Sequence, residues 1–354
     1  MAHSRFALRR FCLPKTPGLR TYVNPARILF LKEIYAEARK LDPRSEEYKV
    51  LERSGDCWYN YFQPDNSERY GYHELQKEYS DVLAEIDSLR SSIKTPVSTI
   101  AKTLVPEYAH QSVKIESNSL SLSESVIISD ALESTVFKSH DFASLNIDDL
   151  NHVDFPRPHD LLPSRLSTKL LPSAISERVM TEVAELRNHI IVSHWIAEMA
   201  PRFPGTAGLD EDDLHGLNAL MLKDTPSEKF WTAPTWGKKS PIGSYRNLPI
   251  SVVSSPMQVF PYPQEVPNLM KKFITWRNDA HAQKELHPLI LACQATIYFF
   301  SIHPFQDGNG RGWSREDYLR SVSDAQNGRP RAFVNLMLST QLDMMRTFKW
   351  REFV

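Results

Sequence analysis

IHPFQDGNGRGWSR, residues 302–315, follows directly on the apolar run HPLILACQATIYFFSI, residues 287–302. The run is apolar on nearly all sides, which predicts a buried central helix. Pro288 suits its first turn, where a missing N–H costs nothing. The loop after it holds a histidine, an acid, a glycine-rich turn and two arginines. An imidazole can take a proton near neutral pH, and a carboxylate can hold Mg²⁺. The backbone N–H groups of Gly308-Asn309-Gly310 can turn toward phosphate, because glycine reaches positive φ cheaply and asparagine tolerates it. The loop therefore reads as a nucleotide phosphate site with a base beside it. Singly, each residue has a plainer use, His303 as a helix-end cap on carbonyls and Asp307 as a turn former. Their concentration in one loop favours the chemical reading.

The loop also resembles the signature of the Fic family, whose members use ATP to attach AMP to protein hydroxyls. The family pattern runs His-x-Phe-x-Asp/Glu-Gly-Asn-Gly-Arg-x-x-Arg. His303, Phe305, Asp307, Gly308, Asn309, Gly310, Arg311 and Arg315 are assigned to its fixed positions. The resemblance implies a mostly α fold, a helical bundle with a β-hairpin flap, joined here to an N-terminal helical region. It implies His303 as the catalytic base, Asp307 as the Mg²⁺ ligand, and Gly308, Asn309, Gly310 and Arg311 as the phosphate cradle. A planar guanidinium grips phosphate in a way an ammonium cannot. Arg315 would meet the γ-phosphate of ATP, and Phe305 would anchor the loop in the core.

Upstream, PISVVSSPMQVF, residues 249–260, is the only strand signal: two short runs flank Ser254-Ser255-Pro256, as in a hairpin. GSYRNLPISVV resembles the family's flap entry, so Ile250, Ser251, Val252 and Val253 are expected to register an extended target segment by strand addition and to cover the nucleotide.

SVKIESNSLSLSE, residues 112–124, resembles the inhibitory segment of many Fic proteins, Ser/Thr-x-x-x-Glu-Gly/Asn, with Ser112 and Glu116 in its first and fifth places. Ser117 departs from the usual Gly or Asn. In the family this glutamate pairs with the second motif arginine and excludes the γ-phosphate; a carboxylate takes the guanidinium that phosphate needs. The plain alternative is a solvated helix acid. Ser121 and Glu124 form a capping box that should start the next helix.

The pattern breaks after Arg311. GWSR runs straight into REDYLRSVSDAQNGRPRAFVNLMLS, so one helix of the family plan is missing between Gly312 and Arg315. Tyr318 matches an adenine-side tyrosine of the family, and Gln326 stands where an Asn is expected.

Composition is that of a soluble globular chain: 354 residues, 41% hydrophobic, 24% charged, net charge −1. The charge gives no hint of a nucleic-acid partner, and no run has the roughly 18 apolar residues of a membrane span. The three widely spaced cysteines suggest neither a disulfide framework nor a zinc site; Cys293 reads as core. Residues 1–24 form a basic tail or a presequence, since residues 1–32 carry seven Arg or Lys and no acid; this fits a cytoplasmic or a mitochondrial protein.

Helical periodicity continues over 25–110, and 111–132 holds the inhibitory helix and its successor. Residues 146–172 read as a Pro-rich connector, and 173–354 as the Fic domain, with a core of about 209–346. The expected function is an autoinhibited, Mg²⁺- and ATP-dependent adenylyltransferase acting on Ser, Thr or Tyr of an unidentified protein or of itself, with AMP removal and a homodimer both compatible. The alternative is an inactive nucleotide binder or truncated pseudoenzyme.

Overall fold

The computed structural model describes residues 45–46, 71–115, 117–162, 173–200, 208–230, 240–247, 250–252, 258–261, 263–309, 315–326 and 328–351. In chain order the helices are α1 (Tyr72–Glu78), α2 (Ser80–Ser92), α3 (Val97–Ile115), α4 (Leu122–Leu132), α5 (Ile147–His152), α6 (Ser173–Met199), α7 (Glu211–Leu222) and α8 (Pro226–Phe230). They continue, after two short strands, as α9 (Val266–Gln283), α10 (Pro288–Ile302), α11 (Arg315–Gln326) and α12 (Arg331–Arg351). The fold is mostly α. Strands β1 (Ser251–Val252) and β2 (Gln258–Val259) pair antiparallel, Ser251 opposite Val259. The connection between them, Val253 included, lies outside the described residues.

Helix α10 is central, as its apolar run predicts. Pro288 occupies its first turn, and the His287 side chain accepts from the Leu289 N–H at 3.2 Å. One face carries Ile290, Cys293 and Ile297 into a core shared with α1, α2, α11 and α12. The other carries Tyr298 and Ile302 against Val266, Leu269, Met270 and Phe273 of α9. Cys293 is a core residue, and burial pushes its thiol up to about 12. A second core joins α3, α4, α5, α6 and α7 around Trp195, whose indole N–H donates to the Leu145 carbonyl at 3.0 Å.

Two local expectations change. The run from Glu74 to Ile93 is two helices, parted at Tyr79, which sits at φ −97°, ψ 17° between them. The connector is not all loop: Asn146 accepts from the Asp149 N–H at 2.8 Å and so caps the short helix α5, whose Ile147 and Leu150 are buried. An Asn cap followed by an apolar pair outweighs the local proline density.

Two buried histidines and the half-buried His303 make stability depend on pH. His194 of α6 stacks on Phe137 with ring centroids 3.8 Å apart and meets Phe142 edge-on. Burial first, then Lys102, lower its pKa to about 4, against an upward pull from Glu198. Burial also lowers His110 and, in the loop, His303. Because the folded values lie below the unfolded value of about 6.5, the unfolded chain takes up protons first as pH falls. The stability that His194 and His303 contribute is full above pH 6.5 and is lost down to about pH 4. For His194 the loss is on the order of 3 kcal/mol, at about 1.4 kcal/mol per pH unit. Urea titrations from pH 7.5 to 4.5 should show this slope, and His194→Phe, which keeps the ring stack, should flatten it. An unchanged slope in the variant would remove His194 from the account.

Candidate functional site

The site is built on the end of α10. The helix stops at Ile302, and His303 takes the left-handed conformation, φ 51°, while its N–H still bonds the Phe299 carbonyl at 2.9 Å. That turn ejects the chain from the core and leaves His303 half-buried beside Phe260, ring centroids 4.2 Å apart. Burial, then the Arg246 charge, push the imidazole down to about 4, with smaller upward contributions from the Phe300 carbonyl and Asp307. At neutral pH it is unprotonated, the state a base needs.

Asn309 closes the loop. Its Oδ1 accepts from the Phe305 N–H at 2.8 Å and its Nδ2 donates to the Phe305 carbonyl at 2.6 Å, so one buried side chain staples residues 305–309 into a ring. The phosphate-nest expectation concerned its backbone; the side chain has this additional, structural role. Phe305 is buried as expected. Gly308 stands at φ +76°, and a Cβ there would meet Asn218 Nδ2 at 3.0 Å, so both space and conformation call for glycine.

Asp307 is held from two sides. Its Oδ1 accepts from the Gly308 N–H at 2.7 Å, and its Oδ2 from Ser227 Oγ of α8 at 2.5 Å. Its carbonyl accepts from Asn218 Nδ2 of α7 at 3.0 Å. The carboxylate is half-buried. One hard, anchored carboxylate fits Mg²⁺, which takes few protein carboxylates and fills its shell with phosphate and water.

The Gly243–Arg246 run braces this loop. Gly243, at φ +76°, packs so near α7 that a Cβ would lie 2.7 Å from the His215 carbonyl. Its N–H donates to Asn218 Oδ1 at 3.1 Å, so one asparagine ties this run to Asp307. Arg246 is 2% exposed. Its Nε donates to the His303 carbonyl at 2.7 Å, and its Nη2 to the carbonyls of Pro261 at 2.5 Å and Ile302 at 3.3 Å. A cation thus sits at the negative end of α10, where the helix dipole favours it. Asn218, Ser227, Arg246 and Phe260 were not picked out in the sequence. Only Arg246 left a local signal, the Gly-x-Tyr-Arg run.

The structure brings together His303, Asp307, Gly308 and Asn309. Gly310 and Arg311 lie outside the described residues, as do Glu116 and Val253. Ile250 is half-buried, and Ser251 and Val252 form β1. Two assignments need correction. The family pattern places its last arginine three residues after the first, which here is Ser314; Arg315 is one residue late and opens α11. Tyr318 is 5% exposed within the core of α10, α11 and α12, with rings of Phe300 and Phe333 6.4 and 6.2 Å away, and burial raises its pKa. An apolar ring at that register of α11 serves packing, and an adenine contact is not what its surroundings supply.

Ser112 is buried on α3. Beyond it the helix ends in a left-handed turn: Ser117 has φ 68°, its N–H bonds the Lys114 carbonyl at 3.0 Å, and the Asn118 N–H reaches the Val113 carbonyl at 3.2 Å. This is the hydrogen-bond pattern of a Schellman end, which favours Gly or Asn at the left-handed residue. That is a physical reason for the Gly or Asn of the inhibitory pattern at this place. Ser117→Gly should therefore raise unfolding free energy by about 0.5–1 kcal/mol in urea titration; a loss would mean the serine side chain outweighs its backbone strain. After the turn, Ser121 and Glu124 make the reciprocal capping box that opens α4.

Residues 208–312 match the family model of the Fic/DOC family. On that segment the resemblance read from the loop is supported. The match ends at Gly312. Among solved structures the chain is similar to a Fic domain containing signalling protein from Bacteroides thetaiotaomicron VPI-5482, with 17% identity, TM-score 0.49, and coverage of 76% of this chain and 95% of that one. It is similar to a Fic family protein from Desulfovibrio desulfuricans G20, with 18% identity, TM-score 0.47, and coverage of 76% and 73%. A fragment of Fic-1 from C. elegans shows 16% identity, TM-score 0.49, and coverage of 90% and 84%. No helix among the described residues is long and apolar enough to cross a membrane.

Proposed function

We propose that this chain is a protein adenylyltransferase that uses Mg²⁺ and ATP to modify Ser, Thr or Tyr hydroxyls, restrained by Glu116. The observation that carries the reading is the stapled turn of residues 303–309. It bears a neutral imidazole and an anchored carboxylate, and Asn218, Ser227 and Arg246 hold it from three other parts of the fold. In the reaction the target oxygen attacks the α-phosphorus. A new O–P bond forms, the bond to the bridging oxygen breaks, and pyrophosphate leaves while the hydroxyl proton passes to His303. The Gly308–Gly310 turn and the Arg311 guanidinium cradle the phosphates, and Ile250 to Val253 align the target strand. Bound at Asp307, Mg²⁺ would neutralise charge on the departing oxygens. Glu116, backed by Ser112, competes with the γ-phosphate for a guanidinium; the same carboxylate could position water for AMP removal. The test is incorporation of α-phosphate label from ATP. Glu116→Gly should take up label, in itself or an added protein, where the unaltered chain takes up little; a silent Glu116→Gly would sink the reading.

A second reading, an inactive nucleotide binder, is favoured by one observation: Ser314 stands where the family pattern has its last arginine. Melting with and without Mg·ATP separates a working pocket from a damaged one, because ligand bound to the native state raises the midpoint by mass action.

A further inference from the structure

We propose that Ser119 and Glu182 form a charge-sensitive latch that holds the inhibitory segment against α6. The proposal rests on the inhibitory reading of Glu116 and concerns how that residue is kept in place. The turn after α3 is fastened to one stretch of α6. Asn118 Nδ2 donates to the Glu182 carbonyl at 2.9 Å and to Glu185 Oε2 at 3.2 Å, and Ser119 Oγ donates to Glu182 Oε2 at 2.5 Å. Asn118 Oδ1 accepts from the Leu120 N–H at 3.0 Å, so the asparagine is locked by both ends of its amide.

Glu182 is 5% exposed, and Arg178 Nε donates to its other oxygen, Oε1, at 3.0 Å. The Arg178 side chain is 67% exposed, so its charge is well screened. Ser119 is exposed on its outer side. The contact thus pairs an accessible hydroxyl with a buried carboxylate that depends on that donor. A buried acceptor deprived of its donor costs more than the bond is worth, and a second negative charge in its place costs more still. A negative charge on Ser119 would therefore push residues 117–119 off α6 and loosen Glu116 with them. One turn further along, Arg187 and Asn188 of the same helix bond Asp224, Met221 and Lys223 ahead of α8, whose Ser227 holds Asp307. Latch and metal-ligand support therefore share one helix.

The test uses the full chain carrying Ser119→Asp, with Ser119→Asn as a neutral control and Glu116→Gly as reference. Amide hydrogen exchange over residues 112–120 should rise about tenfold or more in Ser119→Asp, the scale of a lost bond to a charged group, and stay near the unaltered rate in the control. Adding Glu182→Gln to Ser119→Asp, which removes the repulsion, should restore slow exchange. Label uptake from ATP in Ser119→Asp should approach that of Glu116→Gly. Unchanged exchange in Ser119→Asp overturns the latch, and so does an active Glu116→Gly beside a silent Ser119→Asp. Fast exchange in Ser119→Asp with a silent Glu116→Gly supports the latch and overturns the inhibitory reading instead.

Discussion

Replacing Arg246 with methionine is expected to lower the unfolding free energy by about 3–5 kcal/mol and the melting midpoint by on the order of 10 °C. The guanidinium is 2% exposed and serves the carbonyls of Ile302, His303 and Pro261. Methionine fills much of the volume but leaves these acceptors without a donor, and buried unsatisfied carbonyls cost about 1–3 kcal/mol each. The dipole of α10 also loses its cation. There is a second consequence. The Arg246 charge lowers the His303 pKa, so in Arg246→Met the imidazole should titrate closer to its ordinary range. Denaturant melts read the first effect and the imidazole proton resonances against pH the second. A variant as stable as the parent would mean that the three carbonyls find other donors.

His303→Ala should leave stability within about 1 kcal/mol while lowering label transfer by about 10²–10⁴-fold, the range for a lost general base. The left-handed backbone at residue 303 sets the one structural cost, and His303→Asn, which tolerates that conformation, should share the catalytic loss. The pH profile gives a sharper check. A base must be unprotonated, so activity falls as pH drops through its pKa. With His303 near 4 in the free protein, kcat/KM should stay flat from neutral pH down to about pH 5 and decline below it. With ATP bound, the phosphate charges favour the protonated ring, so the acid limb of kcat should lie at higher pH. Transfer that survives His303→Ala would mean another group takes the proton.

How much of this was legible in the sequence depended on distance along the chain. Helix α10, its Pro288 start and the loop after it are contiguous, and their reading needed only periodicity and turn chemistry. The Ser121–Glu124 box was legible for the same reason. What fixes Asp307 was not: Asn218 and Ser227 lie 89 and 80 residues away and look like ordinary polar helix residues until the fold brings them in. Arg246 reaches α10 across 57 residues. Tyr318 fails differently. Its match to the family was positional and lies beyond the matched segment 208–312, and core packing decides where the ring goes. Continuous periodicity conceals the break at Tyr79, and proline density the cap at Asn146.

The most direct measurement is autolabelling with ATP carrying α-³²P, comparing the unaltered chain, Glu116→Gly and Glu116→Gly/His303→Ala, each shown folded by its melt. The account predicts strong label in the single variant alone. No label in any folded form, or equal label with and without His303, would contradict it.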